Sequence, residues 1–175
     1  MIGMLKKASD ASYVAAKWIV FVYMLGVTVL AIIGIFFRSI GQSLSWNEEL
    51  MRWLLISLGY IGASVGIRTR NHIGIEFFLT KMNTRLRKIA VLLGYGAVMV
   101  FLILVIWYGF EAALNARRQY GAILKLSMIW VKMNIPLGSL FMLIHMTYFT
   151  VGLVREKDDI RKYLVSGGIE GEINL

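Results

Sequence analysis

The chain of 175 residues is too apolar for a water-soluble fold: 58% of its residues are hydrophobic, 17% are charged and its mean hydropathy is +0.69, whereas soluble domains carry about 25% charged residues. The absence of cysteine excludes disulfides, thiolate metal sites and cysteine nucleophiles. The net charge of +9 is concentrated at the ends of apolar runs, which indicates contact with lipid headgroups and not with nucleic acid.

Four apolar segments follow in chain order, and each can cross a bilayer as a helix. Residues 18–37 contain no charge, and twenty residues rising about 1.5 Å each span about 30 Å, the thickness of a hydrocarbon core. The others are residues 47–67, 89–110 and 129–153, followed by a polar tail at 154–175. Because backbone amides in hydrocarbon must bond within their own segment, we predict an all-α integral membrane fold in which residues 1–175 form one domain.

Lysine and arginine are unequally distributed between the two sides of these segments. Thirteen lie before the first segment, between the second and third, and after the fourth, whereas five lie in the two other connections. The positive-inside rule therefore predicts that both termini are cytoplasmic.

The connection between the second and third segments is predicted to form an amphipathic helix, residues 73–88, that lies in the headgroup plane. Its apolar residues follow helical spacing and form one stripe: Ile75, Phe78, Leu79, Met82, Leu86 and Ile89. The basic residues outside this stripe are predicted to reach lipid phosphates: Lys81, Arg85, Arg87 and Lys88.

Catalytic and cofactor chemistry has no candidate residues in the sequence. A haem-binding membrane subunit needs paired axial ligands, but the only histidines are His72 and His145, and His72 lies in a connection. The first and third segments lack the ionisable residue that a proton-coupled exporter keeps inside the bilayer. No serine–histidine pairing typical of hydrolases and no His-Glu-x-x-His pattern is apparent. We therefore predict no enzyme activity, no metal site and no cofactor in this chain.

The densest polar feature lies at the predicted outer end of the second segment, where Glu48, Glu49 and Arg52 follow one another closely. Glu48 and Arg52 are four residues apart and can pair along one helical face, and both carboxylates lie at the positive end of the helix dipole. This local stabilisation and a partner-docking role stay open as alternatives. The flanking Trp46 and Trp53 fit the aromatic belt of a membrane protein.

Gly62 and Gly66 form a Gly-x-x-x-Gly spacing in the second segment, and Gly59 and Ala63 add a neighbouring small pair. Small residues let helix backbones approach closely, which supplies packing energy in lipid. We therefore predict that the second helix is a central packing helix. Whether its small residues contact this chain or another chain stays open.

Three short motifs lie in or beside the second segment: Trp46-x-Glu48-Glu49-x-x-Arg52, Gly62-Ala63 and Arg68-x-x-x-His72. Together they resemble the signature of the DctQ-like small membrane subunits of tripartite ATP-independent periplasmic (TRAP) transporters. The four-segment pattern, the inside termini and the amphipathic connection extend this resemblance over nearly the whole chain, although Gly66 stands where the family frequently has alanine. The polar tail makes the chain resemble the unfused form of the subunit.

The resemblance implies a scaffold subunit in a bacterial inner membrane, beside a large membrane subunit that holds the substrate and sodium sites and moves by an elevator-type mechanism. It also implies a periplasmic binding protein that delivers an organic acid, such as a C4-dicarboxylate or a sialic acid. Glu48, Glu49 and Arg52 would then hold the outer end of the second helix, close to the large subunit or the docked binding protein. Arg68 and His72 would fix its inner end near the headgroups.

Two functions from other classes stay open from the sequence: a stand-alone small multidrug-type transporter that acts as a homo-oligomer, and a subunit of a membrane-bound redox complex. The absence of charge from the first and third segments favours the scaffold role over the exporter. The sequence does not identify the organic acid, because the residues that bind it are expected in other chains.

Overall fold

The computed structural model describes residues 2–69 and 84–155, and these residues are mainly helical. The elements are α1 (Ile2–Ser39), α2 (Ser45–Arg68), α3 (Thr84–Asn115), α4 (Ile129–Lys132) and α5 (Asn134–Arg155), with a 3₁₀ turn at Ala116–Arg118. Four helical spans are long and apolar enough to cross a membrane, and the fourth consists of α4 and α5 together. The predicted all-α membrane fold with four spanning helices is therefore confirmed.

The helices extend beyond the predicted segments. α1 begins at Ile2, several turns before the apolar run at 18–37. α3 begins at Thr84, so residues 84–88 of the predicted amphipathic helix continue directly into this span. The rest of that predicted helix, residues 73–83, lies outside the described residues, and the cytoplasmic placement of the termini stays a prediction.

The central helix of the bundle is α5. It packs against α1, α2 and α3, and α1 and α2 also pack against each other. Among the described residues, α3 makes at most slight contact with α1 and α2, so the four spans do not close into a symmetric bundle. An apolar cluster holds α3 on α5 and includes the inner end of α2: Ile67, Val91, Tyr95, Leu102, Met146, Phe149 and Leu153. The central position predicted for the second helix thus belongs to the fourth span.

A close crossing joins α2 and α5 at Gly138. A Cβ atom at Gly138 would lie 2.6 Å from the backbone oxygen of Tyr60, so the two backbones can approach this closely only because glycine has no side chain. By contrast, a Cβ atom at Gly62 or Gly66 would meet no described atom within 4 Å. The Gly-x-x-x-Gly face of α2 therefore does not pack against the described part of this chain.

Candidate functional site

The polar side chains that join the spanning helices fall into three groups, named here by the predicted topology. The outer junction contains Asn47, Glu49 and the loop at 119–128; the middle junction contains Tyr23, Ser57 and Asn134; the inner junction contains Ser9, Asp10, Arg68 and His145. Hydrogen bonds between helices are stabilising in a bilayer because hydrocarbon offers polar groups no other partner. These junctions are therefore the candidate functional site of the chain.

The loop between α3 and α4, residues 119–128, forms a small hairpin at the outer junction. The amide of Gly121 donates to the carbonyl oxygen of Leu126, and the amide of Met128 donates to that of Gln119, both at 2.9 Å. These cross-strand bonds satisfy backbone groups that would otherwise lack partners near the membrane surface. The loop consequently has a defined shape of its own, hereafter called the outer hairpin.

Glu49 attaches the outer hairpin to α2. Its Oε2 atom accepts hydrogen bonds from the amides of Ile123 at 3.0 Å and Leu124 at 2.8 Å, and hydrogen bonds to a carboxylate are stronger than those to a neutral acceptor. A Cβ atom at Gly121 would lie 2.6 Å from Glu49 Oε1 and 2.7 Å from Trp53 Cζ2. The hairpin thus fits against Glu49 and Trp53 because residue 121 is glycine.

Asn47 joins the outer ends of α1 and α2, and the sequence interpretation did not single it out. Its side chain is 1% exposed, and its Nδ2 atom donates to the carbonyl oxygen of Leu30 at 2.9 Å. A Cβ atom at Gly34 would lie 2.7 Å from the same Nδ2 atom, so glycine leaves the space that this amide occupies. The sequence signal for this role was a polar asparagine in the first turn of an apolar helix. Asn47 occupies an x position of the Trp46-x-Glu48-Glu49-x-x-Arg52 motif, so the motif did not point to it.

The ion pair of Glu48 differs from the one expected from helical spacing. Glu48 Oε1 lies 3.1 Å from Arg38 Nη2, in the last turn of α1, and not beside Arg52. The short connection between α1 and α2 brings these opposite charges together, and each charge also complements the dipole of its own helix. Arg52 is exposed and has no ion pair within 4.0 Å among the residues the structure describes, and Trp46 is 40% exposed.

The middle junction is an uncharged network that the sequence interpretation also missed. Asn134 Nδ2 donates to Ser57 Oγ at 2.9 Å, and Ser57 Oγ donates in turn to the carbonyl oxygen of Trp53 at 2.9 Å. The hydroxyl of Tyr23 donates to Asn134 Oδ1 at 3.3 Å. Helices α1, α2 and α5 therefore meet through neutral groups, which hydrocarbon tolerates far better than charges.

The inner junction ties the first turns of α1 to α2 and α5. Ser9 Oγ and His145 Nδ1 are hydrogen-bonded at 2.8 Å, and both residues are fully buried. Asp10 forms an ion pair with Arg68, whose guanidinium carbon also lies 5.4 Å from the ring centroid of Tyr148. Arg68 thus lies at the inner end of α2, while His72, the other residue of its motif, lies outside the described residues.

We expect Arg68→Leu to release the first turns of α1, because Asp10 then loses its cationic partner. Since the chain has no cysteine, Ser12→Cys supplies a single thiol at a position that is 8% exposed. Its maleimide labelling should become several-fold faster in Arg68→Leu. Arg52→Leu removes an exposed arginine from the other end of α2 and serves as the control. Equal labelling rates in the two variants would contradict the anchoring role.

The remaining candidates from the sequence are the four basic residues predicted to reach lipid phosphates. Arg87 and Lys88 lie in the first turns of α3; Lys81 lies outside the described residues, as does the side chain of Arg85. Their predicted contact with lipid phosphates stays a prediction. Among the described residues, no group of three or more His, Cys, Asp or Glu side chains could hold a metal ion.

Residues 62–66 read Gly-Ala-Ser-Val-Gly, a spacing that surrounds the nucleophile in many hydrolases. In that setting the serine is exposed on a sharp turn between a strand and a helix. Here Ser64 is fully buried within α2, and its hydroxyl donates to the carbonyl oxygen of Ile61 at 2.6 Å. The spacing therefore reflects small residues in a membrane helix and does not form a nucleophile elbow.

The sequence model described as "Tripartite ATP-independent periplasmic transporters, DctQ component" matches residues 14–156. This chain belongs to that family. The match covers the outer and middle junctions and all of the inner junction except Ser9 and Asp10. Together with the four spanning helices, it makes the chain a multi-pass protein of the inner membrane.

Three curated relatives illustrate the family. The C4-dicarboxylate TRAP transporter small permease protein DctQ of Rhodobacter capsulatus is 29% identical over 117 residues, which are 66% of this chain and 52% of the relative. The sialic acid TRAP transporter small permease protein SiaQ of Vibrio cholerae is 30% identical over 104 residues, 55% of this chain and 56% of the relative. The sialic acid TRAP transporter permease protein SiaT of Haemophilus influenzae is 27% identical over 124 residues, 67% of this chain and 20% of the relative. The chain thus spans about half the length of the two small permease proteins.

Proposed function

We propose that this chain is the scaffold and anchor subunit of a TRAP transporter, which imports an organic acid driven by a sodium gradient. The main support for the scaffold role is that the chain uses its buried polar groups to join its own helices. Asn134, Ser57 and Ser9, together with Nδ1 of His145, are engaged in bonds within the chain, mostly between helices. A carrier subunit keeps polar groups free for its cargo, whereas these groups hold helices together.

The identity of the cargo, the coupling to sodium and the partner subunits are further parts of this proposal. The relatives are named for C4-dicarboxylate and for sialic acid, which supports a carboxylate as the cargo. We place the substrate and sodium sites in a large membrane subunit and the capture of the acid in a periplasmic binding protein. On this view the chain has no catalytic residue and no cofactor.

The relation to the longer permease supports a large membrane partner. The matched region amounts to 20% of the SiaT relative, so a unit similar to this chain there forms part of a much larger permease polypeptide. In the present chain, the face of α2 that carries Gly62 and Gly66 has no described neighbour within 4 Å of an added Cβ atom. We propose that the large subunit packs on this face, and that the exposed Arg52 lies at its outer edge.

The decisive experiment is co-expression of a tagged form of this chain with a TRAP large subunit and a periplasmic binding protein from the same organism. We expect the tag to capture the large subunit from detergent extracts, and we expect sodium-dependent uptake of a carboxylate in proteoliposomes only when all three proteins are present. Uptake that continues without this chain would contradict the proposal. Transport of a solute by this chain alone would instead support the multidrug-type alternative.

A further inference from the structure

The fourth span has an interruption in its backbone hydrogen bonding where α4 meets α5. α4 ends at Lys132, α5 begins at Asn134, and Pro136 follows in its first turn. Proline has no amide hydrogen, so the carbonyl oxygen of Lys132 cannot receive the usual bond from four residues ahead. Interruptions of this kind are places at which helices bend.

The side chain of Asn134 crosses this interruption. Its Nδ2 atom donates to the carbonyl oxygen of Trp130 in α4 at 2.9 Å and makes a longer contact with that of Val131 at 3.4 Å. The same nitrogen donates to Ser57 on α2, and Oδ1 accepts the hydroxyl of Tyr23 on α1. One buried amide, 9% exposed, therefore connects α4 with both neighbouring helices.

The hydrogen-bonding capacity of Asn134 is filled by these contacts. A side-chain amide has two hydrogens to donate and a carbonyl oxygen that accepts. Trp130 and Ser57 take the two hydrogens at 2.9 Å each, and Tyr23 occupies the oxygen. No donor is left for a transported ligand, so the residue acts on the protein itself.

The position of α4 matters because the outer hairpin leads directly into it. The hairpin is also attached to α2, because Glu49 accepts the amide of Leu124 and Gly121 lies against Trp53. The carbonyl oxygen of Trp53 in turn accepts the hydroxyl of Ser57. The outer and middle junctions are thus connected through Ser57 and Trp53. Release of Asn134 would remove the hydrogen bonds that link Trp130 in α4 to Ser57 in α2.

We propose that Asn134 is a positioning residue that braces the interruption between α4 and α5 and keeps α4 and the outer hairpin at a fixed angle to α5. The brace is a property of this chain, and its consequence for transport rests on the scaffold role proposed above. A scaffold serves as a static support only if its fourth span does not bend when its partner moves.

Spin-label distances test the brace directly, because the natural chain has no cysteine to remove. Leu126→Cys on the outer hairpin and Val154→Cys near the end of α5 provide two exposed sites, 52% and 57% exposed. Nitroxide labels on the full chain in lipid nanodiscs then report the distance between hairpin and α5. We expect Asn134→Leu, which has nearly the same shape but no hydrogen bonds, to broaden this distance distribution about twofold.

Asn115→Leu is the matched control, because Asn115 is an exposed asparagine at the end of α3. Its distance distribution should equal that of the parent. A distribution in Asn134→Leu as narrow as in this control overturns the proposal. If Asn134→Leu fails to insert, the double variant Tyr23→Phe with Ser57→Ala removes two of the same bonds and carries the same expectation.

These distances are measured without any partner, so a failure of the brace is distinct from a failure of the scaffold role. A broader distance distribution in Asn134→Leu would support the brace independently of the chain's role in a transporter. Uptake by the assembled complex supplies the second readout. If the scaffold role holds, Asn134→Leu should lower the maximal uptake rate several-fold at an unchanged level of the large subunit and an unchanged substrate KM.

Discussion

Gly138→Ala is expected to destabilise the folded chain, because the new methyl group would overlap the backbone of α2. The Cβ atom would lie 2.6 Å from the carbonyl oxygen and 2.8 Å from the carbonyl carbon of Tyr60, and backbone atoms cannot rotate away as a flexible side chain can. Overpacking of this kind costs about 1–3 kcal/mol. Thermal unfolding of the purified chain in detergent should therefore shift to lower temperature by several degrees.

Gly62→Ala and Gly66→Ala are the matched controls, since they introduce the same methyl group on α2 itself. Neither Cβ atom would meet a described atom within 4 Å, and alanine is favoured over glycine in a helix by up to about 1 kcal/mol. The isolated chain should keep or slightly raise its Tm in both variants. A drop as large as that of Gly138→Ala would show that the close crossing does not lie where the structure has it.

Gly138→Ala and Gly62→Ala together separate contacts within the chain from contacts with its partner. We expect Gly138→Ala to reduce the amount of folded chain before any assembly takes place. Gly62→Ala should leave that amount unchanged and reduce capture of the large subunit, because this face of α2 is the one we propose for the partner. Full capture by Gly62→Ala would move the proposed interface to another face.

The features that could be predicted from the sequence are those that depend on a single helix. Length and hydropathy predict four spans because a helix of given length must cross a bilayer of fixed thickness. The motif around Glu49 also stands out in the sequence, because three charges cluster at the boundary of an apolar segment. These properties need no knowledge of which helices are neighbours.

The junctions could not be predicted, because they depend on contacts between residues far apart in sequence. Asn134 meets Ser57 across 77 positions, and Ser9 meets His145 across 136 positions. A lone serine or asparagine in an apolar segment does not indicate which helix it faces. Helical spacing allowed Glu48 to pair with Arg52, but the turn after α1 brings Arg38 to Glu48 instead.

Glu49→Ala is expected to release the outer hairpin from α2. The carboxylate of Glu49 accepts the amides of Ile123 and Leu124, and alanine leaves both amides without an acceptor. Lys125, at the next position along the hairpin, should then be cut by trypsin several-fold faster in the intact chain in detergent or nanodiscs. Mass spectrometry of the fragments identifies the cleavage site and gives its rate.

Glu48→Ala is the natural control for this experiment, because it removes the neighbouring carboxylate. Glu48 contacts Arg38 in an exposed ion pair and makes no hydrogen bond to the hairpin among the described contacts. Exposed pairs of this type contribute little to stability. Cleavage at Lys125 should therefore stay at the rate of the unmodified chain, and equal acceleration by both substitutions would rule out the specific attachment through Glu49.

Uptake by the assembled transporter then distinguishes the two explanations for the charged motif. If Glu49 acts by holding the hairpin, Gly121→Ala should reproduce the effects of Glu49→Ala on cleavage and uptake, because its Cβ atom would lie 2.6 Å from Glu49 Oε1. Arg52 is exposed, so Arg52→Ala should leave cleavage unchanged and weaken only assembly with the large subunit or the binding protein. Normal assembly and uptake in Arg52→Ala would leave the motif with a role inside this chain alone.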